Sequence, residues 1–319
     1  MRILLTAIGK RVQLIKHLKK CNYLVGVDSG ELAPGSFFVD AFFCVPPYHE
    51  EGYIETLVGI CIKENIDMLI PLYEKEFMIL DENRESFREH GTLLLLSHRA
   101  ILELCNDKWN TYTFFKDNGI NTPISYLKEQ LVEADRIPMD YPIIIKPRDG
   151  MGSRGLCKIY DDEQLKYYLK GAENLIVQEF ISGTEYTIDV LCDIEGNIIS
   201  IVPRQRIEVR AGEVTKSRTE RNEAIIRETE KLVAKMNSMG NGIKTIGPMN
   251  IQCIVEPDGD INFIEINPRF GGGVPLSFEA GVDYGDILNR MVLGDTIAPM
   301  IGEFEEVIML RFDDAVFIR

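Results

Sequence analysis

Short apolar runs mark the first third of the chain, at residues 2–7, 23–28, 67–71 and 92–96. Between them, apolar residues recur at helical spacing over residues 10–21, 50–64 and 74–89. Strands alternating with helices predict a parallel sheet with helices on its faces, ending near Leu104. From Asn106 the pattern changes. Asp107-Lys108-Trp109 opens a helix to about Asn118, Gly119 stops it, and Asn121-Thr-Pro123 turns the chain. Strands are expected near residues 143–147, 155–159, 175–181, 184–193 and 198–206, with a helix at 161–170. A polar helix over 221–239, a hairpin within 244–267, a helix near 276–293 and a strand near 307–312 follow. No internal repeat or low-complexity segment interrupts this order.

At 319 residues the chain is too long for one ordinary core, so two or three packed units are expected. Its 50 acidic and 35 basic residues give a formal charge of −15, which argues against general binding to nucleic acid or anionic membranes. No run is long and apolar enough to span a bilayer, and the opening Met1-Arg-Ile-Leu-Leu-Thr-Ala reads as a strand rather than a secretory signal. Seven scattered Cys with no Cys-x-x-Cys suggest reduced thiols in the cytoplasm and no zinc site. Asp28 ends the second strand as in dinucleotide-binding folds, but Thr6-Ala-Ile-Gly-Lys-Arg carries one Gly where the phosphate fingerprint needs three. A nicotinamide or flavin cofactor is therefore disfavoured.

Three constellations carry candidate chemistry. In the hairpin, Asn250-Ile-Gln-Cys-Ile-Val-Glu256 meets Ile261-Asn-Phe-Ile-Glu-Ile-Asn267 across Pro257-Asp-Gly-Asp260. Pairing Glu256 with Ile261 sets Gln252 opposite Glu265 and Asn250 opposite Asn267, with Ile251, Cys253, Ile264 and Ile266 on the core face. Four oxygen-bearing side chains on one face make either a hard-cation site, with Arg269 beside it, or a solvated polar face. Next, Tyr141-Pro-Ile-Ile-Ile-Lys146 delivers a Lys at a strand end, and a glycine-rich turn over residues 150–155 follows. That turn either folds its amides over phosphate oxygens or is a plain connection; it is not a P-loop. Finally, Gln178-Glu-Phe-Ile181-Ser-Gly-Thr-Glu185 is either an ordinary strand connection or a hinge that reads a nucleotide base.

In this order the three pieces resemble the ATP-grasp superfamily, most closely the branch related to the carbamoyl-phosphate synthase large subunit. The resemblance covers nearly the whole chain, the closing Arg311-Phe-Asp-Asp included. It implies an α/β fold: a Rossmann-like pre-ATP-grasp domain over residues 1–105, then an ATP-grasp domain over 106–319 built of two α+β subdomains, the lid at about 120–182. It implies a ligase that joins a small carboxylate to an amine through an acyl phosphate, using ATP and two Mg2+ ions, with Mn2+ as a substitute. A non-catalytic nucleotide-binding module and a grasp enzyme acting on bicarbonate or another small acid are the rivals. Dimers are common in the family, which makes a homodimer one expected assembly.

Carried over by position, Lys108 and Lys146 would contact the ATP phosphates and the adenine side of the cleft. Gly150, Met151, Gly152, Ser153, Arg154 and Gly155 would form a lid over the phosphates. Glu179, Phe180 and Ile181 would hold adenine, and Glu185 the ribose. Gln252, Glu265 and Asn267 would hold the metal ions, and Arg269, with Lys146, would act on the γ-phosphate and acyl phosphate. Arg204, Arg206 and Lys216 are looser candidates for further phosphate contacts. Residues 271–273, three consecutive Gly, would allow close backbone approach to the acyl phosphate. Gln252 stands where the family more often has an acid. Leu72-Tyr-Glu-Lys-Glu-Phe77 departs from the Pro-Glu-rich pattern expected there.

Overall fold

The computed structural model describes residues 1–131, 137–150, 152, 154–171 and 173–318. Its first sheet is parallel and contains β1 (Arg2–Leu5), β2 (Tyr23–Asp28), β3 (Ala41–Cys44), β4 (Met68–Ile70) and β5 (Leu93–Leu94), in the order β3-β2-β1-β4-β5. The middles of the central strands are apolar on both faces because helices cover both; Ile3, Leu4 and Leu5 are fully buried. The edge strand β3 lacks that signature. Its Ala41, Phe42 and Phe43 are half-buried and Cys44 is exposed, which is why no apolar run announces it.

A four-stranded antiparallel sheet follows: β6 (Ser125–Leu127), β7 (Ile143–Pro147), β8 (Cys157–Ile159) and β9 (Leu175–Glu179), ordered β6-β9-β7-β8. Helix Asp162–Gly171 covers it, and Ile143, Ile145, Ile159, Leu165 and Val177 close a small core of its own. The third sheet contains β10 (Thr184–Cys192), β11 (Ile198–Arg210), β12 (Glu213–Thr219), β13 (Gly247–Val255), β14 (Ile261–Asn267) and β15 (Ile308–Leu310), ordered β14-β13-β10-β11-β12-β15. Its core is continuous with that of the first sheet: Ile188, Ile251 and Ile266 share one cluster with Ile3, Ile15 and Ile70.

Two expected helices are broken. Residues 74–89 form a 3-10 turn (Glu74–Glu76) and two helices, Phe77–Glu82 and Arg84–Arg88. Between the helices, Asn83 bends back to donate to the Ile79 carbonyl at 2.8 Å. The span 276–293 divides into Pro275–Glu279 and Tyr284–Leu293, because Gly281 takes a φ of 110°, outside any helix.

The hairpin corrects one pairing and keeps another. Val255, not Glu256, faces Ile261, and a bulge between Gln252 and Cys253 shifts the register. Phe263 therefore takes the core place expected of Ile264, at 2% exposure, and Ile264 is left half-buried. The longer loop and the bulge offset each other, so Gln252 still faces Glu265 and Asn250 still faces Asn267.

Candidate functional site

Polar residues converge where the four-stranded sheet, the polar face of β13–β14 and the loops after β1 and β4 meet. Lys146 ends β7, where the antiparallel ladder sets it against Ile176 of β9. Its Nζ donates to Gln178 Oε1 at 2.8 Å, and Gln178 Nε2 donates to Ser125 Oγ at 2.9 Å, which fixes the orientation of the amide. Lys146 is 7% exposed. Burial lowers its pKa to about 8; Glu265 opposes the shift and nearby Lys108 adds to it.

Lys108 begins helix Lys108–Asp117, and its Nζ donates to the Gly150 carbonyl at 2.5 Å and the Arg148 carbonyl at 3.4 Å. The helix is capped by Asp107, whose carboxylate accepts from Trp109 N at 2.7 Å and pairs with Arg148 at 2.5 Å. The base of the glycine loop is thereby fixed to this helix. Met151 and Ser153 lie outside the described residues. The Gly152 carbonyl lies against Gly212, in the β11–β12 turn, where a Cβ would come within 2.8 Å of it. Gly212 also has a φ of 79°, so the position requires Gly on both counts. Arg154 is exposed, and so is Gly155.

Arg269 follows β14 at once, and its Nε meets Glu74 Oε1 at 2.6 Å, with side chains 15% and 18% exposed. Glu74 belongs to the segment that departs from the family pattern. Burial raises its pKa against the pull of Arg269. The Asn267 amide, with its nitrogen turned toward them, donates to Glu74 Oε1 at 2.8 Å and Glu265 Oε1 at 3.2 Å. Turned the other way, its oxygen confronts the same two carboxylates, an arrangement only a cation would favour. Gln252, directly opposite Glu265, adds a fourth oxygen-bearing side chain. Among the described residues no group of three or more His, Cys, Asp or Glu could hold a metal. One or two carboxylates with amide oxygens are a magnesium-type donor set.

The hinge segment leaves the sheet after Glu179, whose Oε2 accepts from Ile124 N at 3.2 Å. Phe180 and Ile181 are half-buried, and the Lys158 ammonium sits 3.4 Å from the centroid of the Phe180 ring. Glu185 pairs with Arg206 at 3.2 Å, and Arg206 also donates to Thr187 Oγ1 at 3.1 Å.

Two loosely expected cations stand elsewhere. Lys216 pairs with Glu208 at 2.7 Å, both about half exposed. Arg204 is 1% exposed; its Nε and Nη2 donate to Asp189 at 2.7 and 3.0 Å. Asp189 also accepts from Ser277 Oγ at 2.6 Å and Asn250 Nδ2 at 3.2 Å. This network lies beneath residues 271–273. A methyl at Gly273 would collide with Arg204 Nη1 and lie 2.9 Å from Val214 Cγ1. Arg204 thus supports residues 271–273 from below, with its Nη1, which has no hydrogen-bond partner among the described residues, facing Gly273.

Sequence reasoning missed Glu74 and Arg11. Glu74 had no local signal beyond its place after the fourth strand. Arg11 could have been found from its position, two residues after the single Gly of the first βα turn.

An ATP-grasp domain model matches residues 105–273, and a PylC-like, N-terminal domain model matches residues 3–95. A D-alanine–D-alanine ligase of Petrotoga mobilis is 30% identical over 203 residues, covering 58% of this chain and 66% of that one. A carbamoyl phosphate synthase large chain of Clostridium perfringens is 30% identical over 264 residues, covering 78% of this chain and 24% of its own length. The chain therefore spans 66% or less of these curated relatives. Among solved structures, N5-carboxyaminoimidazole synthetase from Staphylococcus aureus complexed with ADP superposes with a TM-score of 0.73 at 18% identity, covering 98% of this chain and 82% of that one. L-amino acid ligase from Bacillus licheniformis gives 0.69 at 17%, covering 94% and 77%. These likenesses show the same fold. With the ATP-grasp domain model matching more than half of its residues, the chain belongs to the ATP-grasp family.

Proposed function

We propose that the protein is an ATP-dependent ligase that activates a carboxylate as an acyl phosphate, joins it to an amine, and releases ADP and phosphate. The observation that carries this reading is the meeting of Lys108, Lys146, Arg269, Glu265 and Asn267 on three different elements. Lys146 and Lys108 each interact electrostatically at a distance, Lys146 with Glu265 and Lys108 with Glu74, while Arg269 and Asn267 both reach Glu74. Three cations beside a hard-oxygen donor set suit a polyphosphate and its counter-ion. Glu265, Asn267 and Gln252 would hold Mg2+, which when bound neutralises charge on the terminal phosphates.

In this reading a carboxylate oxygen attacks the γ-phosphorus and the bond to the β-phosphate oxygen breaks, freeing ADP. Arg269 stabilises charge on the transferring phosphoryl group, and Lys146 holds the phosphates in line. The glycine loop, resting on Gly212, excludes water from the acyl phosphate. The amine nitrogen then attacks the acyl carbon, phosphate leaves, and one proton is released. Positioning and electrostatics supply the catalysis, so no nucleophilic side chain is required. Glu179, Phe180 and Ile181 form the adenine-binding hinge. Dimerisation remains an expectation for this chain. Among the described residues no helix is long and apolar enough to cross a membrane. The test is Glu265→Gln in an assay of ADP release with a panel of acids and amines. It should abolish turnover at saturating magnesium; near-wild-type ADP formation would sink the assignment.

A further inference from the structure

Near residues 271–273, Lys10, Arg11 and Arg311 join Arg269 but have no role in the chemistry above. Arg11 precedes helix Val12–Leu18 at the end of the β1 loop. That loop is held in a costly shape: Ala7 adopts a φ of 47°, and Gly9 N donates to Asp28 Oδ2 at 2.9 Å. The Gly9 carbonyl also accepts from Gly35 N at 2.8 Å. The loop aims Arg11 at residues 271–273, with its Nη1 3.6 Å from where a Cβ of Gly272 would stand.

No carboxylate among the described residues lies within ion-pair reach of the Arg11 guanidinium. The two nearby carboxylates are engaged by others. Glu74 holds Arg269, and Glu213 is shared by Lys10 at 3.4 Å and Arg311 at 3.3 Å. Four cations (Lys10, Arg11, Arg269 and Arg311) thus face two carboxylates, an excess of two positive charges. Burial, followed by the repulsion of Arg269, lowers the Arg11 pKa to about 10, the direction expected of a cation without its anion. Glu213 starts β12 directly after Gly212, on which the phosphate loop rests.

We infer that Arg11 and Arg311 bind a second anionic group on the acid substrate, a carboxylate or phosphate remote from the carboxylate being activated. This rests on the ligase reading and adds a substrate class to it: acids bearing two anionic groups. Charge-assisted contacts from guanidinium to an oxyanion orient as well as attract. With the remote anion fixed across residues 271–273, the reacting carboxylate would lie on the Arg269 side.

The test measures binding by calorimetry to the full chain, with and without ADP–magnesium. The probes are bicarbonate, acetate, alanine, succinate, aspartate, glutamate and phosphoserine. Probes with two anionic groups should bind wild type roughly tenfold or more tighter than those with one, as loss of a charge-assisted hydrogen bond implies. Succinate against phosphoserine tells a remote carboxylate from a remote phosphate. Arg11→Gln should erase the preference while ADP–magnesium affinity stays within about twofold, and Arg11→Lys should restore part of it. Arg311→Gln, at a 26% exposed side chain, gives the same readout should Arg11→Gln fail to fold. If ADP–magnesium binds but the probes are not distinguished, or Arg11→Gln keeps the preference, this inference is overturned and the ligase reading stands. Absence of ADP–magnesium binding overturns both.

Discussion

The depressed pKa of Lys146 makes nucleotide binding pH-dependent in a way that can be calculated. The residue is 7% exposed, and its ammonium has a neutral amide as its only hydrogen-bond partner among the described residues. Burial brings its pKa to about 8, so in the empty cleft the charge is largely present at pH 7 and largely lost by pH 9. A bound phosphate restores it. Nucleotide phosphates are already ionised across this range, so they add no slope of their own. A charge-assisted contact contributes about 1.5–3 kcal/mol, or roughly 10- to 150-fold in affinity. ADP–magnesium affinity should therefore fall by about tenfold or more between pH 7 and 9.5. Lys146→Arg, charged throughout, should flatten that fall, and Lys146→Met should bind weakly at every pH.

Stability has the opposite slope. The folded state holds the lysine proton less tightly than the unfolded chain does. The cost of the buried charge is present below the folded pKa near 8 and is relieved as pH rises toward the unfolded value of 10.5. Its size is on the order of 3 kcal/mol at most. Lys146→Met removes the cost but leaves Gln178 Oε1 without its donor, so the slope across this window, rather than one melting temperature, is the readout. Calorimetric titration of ADP–magnesium at half-unit pH steps decides the matter. A wild-type affinity flat from pH 7 to 9.5, or a fall that persists in Lys146→Arg, would refute the reasoning.

Two further substitutions test the site's supports. Glu74→Gln removes the charge that aims Arg269, so turnover should drop by roughly tenfold or more while the nucleotide KM changes by less than about threefold; unchanged turnover would show that Arg269 needs no anchor from the first sheet. Gly273→Ala presses a methyl into Arg204, which Asp189 holds in place, and should destabilise the fold by about 1–3 kcal/mol. Gly272→Ala, whose nearest neighbour is 3.6 Å away, should melt with wild type, and equal loss in both would contradict the packing argument.

What could be read from the chain depended on whether a signal was local. The parallel sheet showed itself because strands buried on both faces are apolar throughout, as in Leu24, Val25 and Val27. The facing of Gln252 and Glu265 was legible from strand alternation, although the bulge and the longer loop had to cancel for it to hold. Glu74 could not be read, because its meeting with Arg269 joins residues almost two hundred positions apart through a 3-10 turn. The pairing of Arg204 could not be read, because an arginine in a strand looks alike whether or not a buried carboxylate holds it. Its partner, Asp189, is buried on the neighbouring strand across from Val202, two residues along from the Thr187–Arg204 pair.

The account's central claim is that the γ-phosphate passes to a carboxylate. The most direct measurement supplies ATP, magnesium and an acid with hydroxylamine in place of the amine, and follows nucleotide products together with hydroxamate. An acyl phosphate predicts hydroxamate appearing in step with ADP and phosphate, and neither forming with Glu265→Gln. AMP as the stoichiometric nucleotide product, or ADP formed without any trapped acyl group across productive acids, would contradict it.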